Sequence, residues 1–224
     1  MKRLFWTLFP RYSPTIDVVN RNARLRAWAS ANAATPSFPE RAQLYRYVNE
    51  TCCGAGQIDL LEFGVASGSS LKLWTQTNTH PQSRFIGFDT FEGLPEAWDA
   101  GVAFRAPKGR FSQGGRIPEF DDDRVSFCKG LFQETLPTFL QGFVPRANLV
   151  VHHDSDLYSS TTYCLTRMND VCTKGTVLIF DDFYASLHQF RAYEDYVASY
   201  RRTLRPVGMT SDYGVPLVVA FVYD

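Results

Sequence analysis

The sequence predicts an α/β domain: a parallel sheet with helices on both faces and an antiparallel hairpin at its C-terminal end. Three observations carry this. Five short segments are continuous apolar runs rather than alternations, which is the pattern of strands buried on both faces. Helical segments separate them, as parallel crossovers require. The last two strand-like segments are joined by too few residues for a crossover, so they must pair antiparallel. The chain has 224 residues, 45% hydrophobic and 21% charged, enough for one domain with a sizeable core.

Residues 1–39 mix Arg-rich helical patterning (Arg21, Arg24 and Arg26 with Leu25 and Trp28) with proline breaks, and read as a helical appendage that serves packing or dimerisation. The main domain then runs over residues 40–224. Glu40 to Glu50 has helical periodicity through Leu44, Tyr47 and Val48. Ile58 to Phe63 is the first buried strand, followed by a Gly/Ser turn and a helix from Ser69. Arg84 to Asp89 is the second strand. Residues 104–120 hold several glycines, prolines and arginines; a connection this long is usually functional, and it is the candidate mobile lid. Arg124 to Cys128 and Ala147 to His153 are the next strands, followed by helices at Glu134 to Gln141 and Tyr158 to Cys172. Gly175 to Phe180 is the fifth strand, with a helix at Gln189 to Tyr200. Leu204 to Met209 and Pro216 to Tyr223 form the hairpin. Five parallel strands and a terminal hairpin fit a class I methyltransferase sheet better than the common dinucleotide-binding sheet.

Composition excludes several functions. Lys plus Arg and Asp plus Glu both number 23, which argues against a nucleic-acid binder working through a broad basic face. No run approaches the roughly 20 apolar residues that span a bilayer. The N-terminal Leu/Phe/Trp stretch is cut by Pro10 and Arg11 and lacks a signal-peptide core, so a cytoplasmic location is expected. Five cysteines without C-x-x-C or zinc spacing read as reduced, packed thiols.

The informative residues sit at strand ends, where open α/β sheets bind ligands. After the first strand comes Glu62-Phe-Gly64-Val-Ala-Ser-Gly68, an acid followed by two glycines that permit a tight turn and close backbone approach. It is not the G-x-G-x-x-G that cradles a pyrophosphate, and it suits a cationic or neutral nucleoside better. Asp89 ends the second strand, where an acid accepts from both ribose hydroxyls of a nucleoside. Ala66, Ser67, Ser69, Thr90 and Phe91 complete these two turns as candidate cofactor contacts. His152-His153-Asp154-Ser155-Asp156 follows the fourth strand and Asp181-Asp182 the fifth. Converging carboxylates repel unless a cation or protons intervene, and oxygen-only ligands favour Mg²⁺ or Ca²⁺. Asp154, Asp181 and Asp182 are therefore expected to hold a hard divalent metal, while Asp156 is expected to cap the next helix.

Five runs occur in the order found in one known family: Leu61-Glu-Phe-Gly-Val-Ala-Ser-Gly-Ser-Ser70, Phe85-Ile-Gly-Phe-Asp-Thr-Phe-Glu-Gly-Leu-Pro95, Lys129-Gly-Leu-Phe-Gln-Glu-Thr-Leu-Pro137, Asp154-Ser-Asp-Leu-Tyr-Ser-Ser-Thr161 and Ile179-Phe-Asp-Asp-Phe183. Together they resemble the macrocin O-methyltransferase family over residues 40–224. The resemblance implies S-adenosylmethionine as donor, Mg²⁺, and methylation of a sugar hydroxyl on a small molecule. It places Glu62, Gly64 and Gly68 on the methionine side of the donor, Asp89 on the ribose, and Lys129, Gly130 and Phe132 near adenine. It also implies a homodimer and assigns the metal to Asp154, Asp181 and Asp182. Asp154 is the first candidate general base, also close to the donor, and His153 the second; His188 is a weaker candidate for acceptor contact. Three other readings stay open: a catechol-like acceptor, a non-catalytic donor-binding protein of this fold, and a D-x-D phosphatase using Asp154 and Asp156. A dinucleotide-dependent oxidoreductase is disfavoured because the pyrophosphate-binding glycine pattern is missing.

Overall fold

The computed structural model describes residues 14–99 and 105–224; the first thirteen residues of the expected appendage, and Phe104 at the start of the expected lid, lie outside them. The parallel strands are β2 (Ile58–Phe63), β3 (Arg84–Asp89), β6 (Val125–Lys129), β7 (Asn148–His153) and β8 (Val177–Phe180). The helices beside them are α2 (Arg41–Thr51), α3 (Ser69–Thr77), α4 (Phe132–Gly142), α5 (Tyr158–Met168) and α6 (Gln189–Tyr200). β1 (Ser37–Phe38), β9 (Leu204–Asp212) and β10 (Val215–Tyr223) complete the sheet in the order β1-β9-β10-β8-β7-β2-β3-β6. The chain runs outward from β2 through β3 to β6, then returns to the other side of β2 with β7 and β8. The topological switch therefore lies between β2 and β7, where a ligand crevice opens. β10 pairs antiparallel with both β8 and β9.

The hairpin turn is tighter than the sequence reading: Tyr213 and Gly214 alone join the strands, with φ 45° and 77°. Two left-handed central residues match the twist of the flanking strands, and Tyr213 gives no sequence signal for that conformation. α1 (Pro14–Ala31) lies on the sheet, with Leu25 buried and Trp28 packed on Phe183, Tyr193 and Phe221. Arg21 and Arg24 both reach Glu194 of α6.

Alternation along each strand divides the core between the two faces. Leu61, Phe63, Val151, Leu178 and Phe180 join the cluster on one face. Ile58, Leu60, Val150, Val177 and Ile179 join the cluster with Leu44, Tyr45 and Trp74 on the other. Asp59 is fully buried beneath the sheet's N-terminal edge, held bidentately by Arg84 and by the Arg146 backbone N–H. All five cysteines are free thiols. No helix among the described residues is long and apolar enough to cross a membrane.

Candidate active site

At the C-terminal ends of β2, β3, β7 and β8 lies a cavity of about 720 Å³. Its floor is the turn after β2. Gly64 has φ 95°, and a Cβ there would stand 1.9 Å from the Asp154 carbonyl oxygen. The turns after β2 and β7 thus touch backbone to backbone, which only glycine permits. Asp89 organises the same turn: one carboxylate oxygen accepts from the N–H groups of Val65 and Ala66, the other from that of Phe91. A carboxylate has about four acceptor positions, so Asp89 retains capacity for a ligand hydroxyl.

Most sequence-predicted cofactor residues line this cavity: Gly64, Ala66, Ser67, Ser69, Asp89, Thr90, Gly130, Phe132 and Asp154. Glu62, Gly68 and Phe91 are absent from its wall. Glu62 is fully buried and bonded to Ser70 Oγ and His152 Nδ1. Gly68 sits under the Phe120 ring, and the buried Phe91 uses its carbonyl to anchor the Gln113 and Gly115 N–H groups. Lys129 donates to the Gly115 carbonyl.

The acids converge as expected. Burial and the neighbouring Asp181 hold Asp154 well above the usual carboxylate range, and burial with Asp182 pushes Asp156 up to about 10. Asp182 is also raised by burial, although it bonds to Asp156 and Tyr184. Burial acts against the charge on Asp181 too, but His152 and Arg41 hold it low. His152 overcomes its own burial through Asp181 and Glu62 and is raised to about 10. Its ring is engaged at both nitrogens, by Glu62 at 3.0 Å and by Tyr45 Oη at 3.3 Å.

The tightest group of donors is His152, Asp154 and Asp181, with ligand atoms within 4.8 Å of one another. Asp182 turns instead to Asp156 and Tyr184. Because both His152 nitrogens are engaged, the free donors are carboxylate oxygens. One of them, Asp181 Oδ1, is buried with no hydrogen bond among the described residues and stands 3.5 Å from His152 Nε2. This donor set fits a hard divalent cation.

Three placements correct the sequence reading. His153 does not face the cavity: it lies between the Phe63 and Phe180 rings with both ring nitrogens unpartnered among the described residues, and burial lowers it to about 3. Strand alternation is the reason, since His152 points to one face of the sheet and His153 to the other. Asp156 is not a helix cap: Leu157 holds that position, and Asp156, at φ 59°, points to Asp182. His188 accepts from the Tyr158 N–H through Nδ1, so its Nε2–H donates to the Asp99 carbonyl; it fastens β4 (Trp98–Asp99) to α5 and does not line the cavity. Sequence reasoning missed Arg41 and Tyr184, which line the cavity together with Trp98 and with Phe111 of the expected lid segment.

A family model for macrocin-O-methyltransferase matches residues 43–214. The 8-demethyl-8-(2,3-dimethoxy-alpha-L-rhamnosyl)-tetracenomycin-C 4'-O-methyltransferase of Streptomyces olivaceus is 30% identical over 211 residues, spanning 82% of this chain and 77% of that protein. The crystal structure of CalS11, a calicheamicin methyltransferase, superposes with a TM-score of 0.60 at 22% identity, covering 96% of this chain and 95% of that one. An O-methyltransferase from Bacillus cereus in complex with SAH gives 0.53 at 17% identity, covering 99% and 96%. The fold is that of the class I methyltransferases, and the chain belongs to the macrocin O-methyltransferase family.

Proposed function

We propose that this protein transfers the methyl group of S-adenosylmethionine to a sugar hydroxyl of a small glycosylated acceptor, with a divalent cation at the acid cluster. The observation that carries the reading is the meeting of the Gly64 turn and Asp154 at the switch point, beside Asp181 and Asp182. The rhamnosyl acceptor in the S. olivaceus relative's name supports a sugar over a catechol.

S-adenosylmethionine would supply an electrophilic methyl group on a sulfonium, and a divalent cation, which Asp154 and Asp181 would hold, would supply Lewis-acid polarisation of the acceptor oxygen. The chain's own residues do the rest. The Val65–Ser67 turn and Asp89 would bind and orient the donor; Asp154, which a bound cation would keep ionised in spite of its burial, would take the acceptor's proton as oxygen attacks carbon and the carbon–sulfur bond breaks. Fixing both reactants in line can lower the barrier by about 7–11 kcal/mol. Residues 105–120 serve as the lid: Phe111 lines the cavity, and the segment is tied to the turn after β3 at Phe91 and Leu94. A homodimer is part of the same reading and is tested by sedimentation.

The test is a thermal-shift series with S-adenosylmethionine, S-adenosylhomocysteine and NAD, each with Mg²⁺ or chelator. A ligand at about 100 times its dissociation constant adds about 2.7 kcal/mol, roughly 5–10 °C here. A shift with the first two and none with NAD is expected. No shift with S-adenosylmethionine would refute the donor site.

A further inference from the structure

Helix α2 carries none of the motifs at the strand ends, yet two of its residues, one helical turn apart, reach the acid cluster. Tyr45 stacks on Trp74 and brings its hydroxyl to His152 Nε2. Arg41 stands on the cavity wall, and its Nη2 donates to Asp181 Oδ2 at 2.9 Å. The Asp181 side chain is only 7% exposed, and its other oxygen makes no hydrogen bond among the described residues and stands 3.5 Å from His152 Nε2. A buried carboxylate with one oxygen clamped and the other left without a hydrogen bond is the arrangement of a ligand held from outside the coordination sphere. Arg41 is also the only Lys or Arg on the cavity wall among the described residues.

We propose that Arg41 is the positioning residue of the cation site: by holding Asp181 Oδ2 it fixes that carboxylate and leaves Oδ1 as the oxygen offered to a divalent cation. The proposal rests on the cation reading above. Two effects of opposite sign compete. A guanidinium orients the ligand, which strengthens binding; it is also a positive charge, which repels a cation. Orientation dominates, because the guanidinium is already neutralised by Asp181, which it contacts at 2.9 Å.

The experiment is Mn²⁺ titration by calorimetry on the full chain, comparing wild type, Arg41→Gln, Arg41→Met and Arg41→Lys. Binding of S-adenosylhomocysteine, measured alongside, shows that each variant is folded. Arg41→Gln and Arg41→Met weaken Mn²⁺ binding by about 10–100-fold, the range for lost outer-sphere partners. Arg41→Lys, which keeps a donor for Oδ2, recovers most of the loss, and the dissociation constant for S-adenosylhomocysteine moves less than about threefold. Methionine preserves the apolar stem should the glutamine variant fail to fold. Equal or tighter Mn²⁺ binding in Arg41→Gln or Arg41→Met overturns the proposal and makes Arg41 a competing counter-ion. A wild-type chain that binds S-adenosylhomocysteine but no Mn²⁺ overturns the cation reading and this proposal together; wild-type binding matched by every variant overturns only the role of Arg41.

Discussion

Replacing Gly64 with alanine tests the central contact of the site. The added Cβ would lie 1.9 Å from the Asp154 carbonyl oxygen and 2.6 Å from its carbon, with Ser155 Cα at 3.1 Å. These are backbone atoms, so no side-chain rotation relieves the clash, and the turn carrying Asp154 must move. The backbone adds its own cost, because φ 95° strains any residue with a Cβ by about 1–3 kcal/mol. Overpacking adds about 1–3 kcal/mol. The sum, about 2–6 kcal/mol, is a large part of the 5–15 kcal/mol typical of a domain. For a chain of this size it corresponds to a fall in Tm of roughly 5–20 °C. Gly54→Ala separates the two terms: Gly54 has φ 61° with nothing within 4 Å of its Cβ, so it should cost only about 1 kcal/mol. Circular-dichroism melts of both variants, with methyl transfer measured well below Tm, make the comparison. A Gly64→Ala protein that melts within about 2 °C of Gly54→Ala, or keeps near-normal turnover, would refute the close approach of the two turns.

Asp154→Asn should abolish turnover while S-adenosylhomocysteine binding, followed by calorimetry, stays within a few-fold of wild type; retained turnover would remove Asp154 as the base. His153→Phe should keep neutral-pH turnover, since the ring is stacked between Phe63 and Phe180 and not on the cavity wall. The same variant changes the acid limb of stability. His153 is held neutral with its pKa near 3, so the unfolded chain binds the extra proton between about pH 6.5 and 3. Its contribution is complete above that window and lost as pH falls through it, by at most about 1.4 kcal/mol per pH unit. Urea unfolding at pH 7, 6, 5 and 4 should show a flatter decline in His153→Phe; parallel declines would contradict the buried, neutral ring. Arg84→Met leaves Asp59 buried with only backbone partners and should cost about 3 kcal/mol in urea unfolding, whereas a cost near zero would mean Asp59 is solvated.

Much of this molecule was legible in its sequence because the signals are local. Apolar runs marked the central parallel strands to within a few residues, since a strand buried on both faces needs apolar side chains throughout; β6, at the edge of the sheet, is only partly buried. Glycines and acids at the strand ends marked the cavity, since a tight strand-to-helix turn needs residues of that kind. What the sequence could not decide depends on elements far apart in the chain. Whether His152 or His153 faces the acids is set by the register of β7 against β2, and one residue changes the face. Gln189, fully buried, accepts from the Asp182 N–H and donates to the His153 carbonyl, yet as a lone glutamine at a helix start it carries no signal. Arg41 meets Asp181 across 140 residues of sequence, so only the packing of α2 over the sheet reveals the pair. The sequence by itself determined the sheet, its turns and the acids that the turns carry, because each is written in neighbouring residues. Only the tertiary structure decided which acids share a proton, which stays charged and which histidine belongs to the site, because burial and distance between remote groups set those charges.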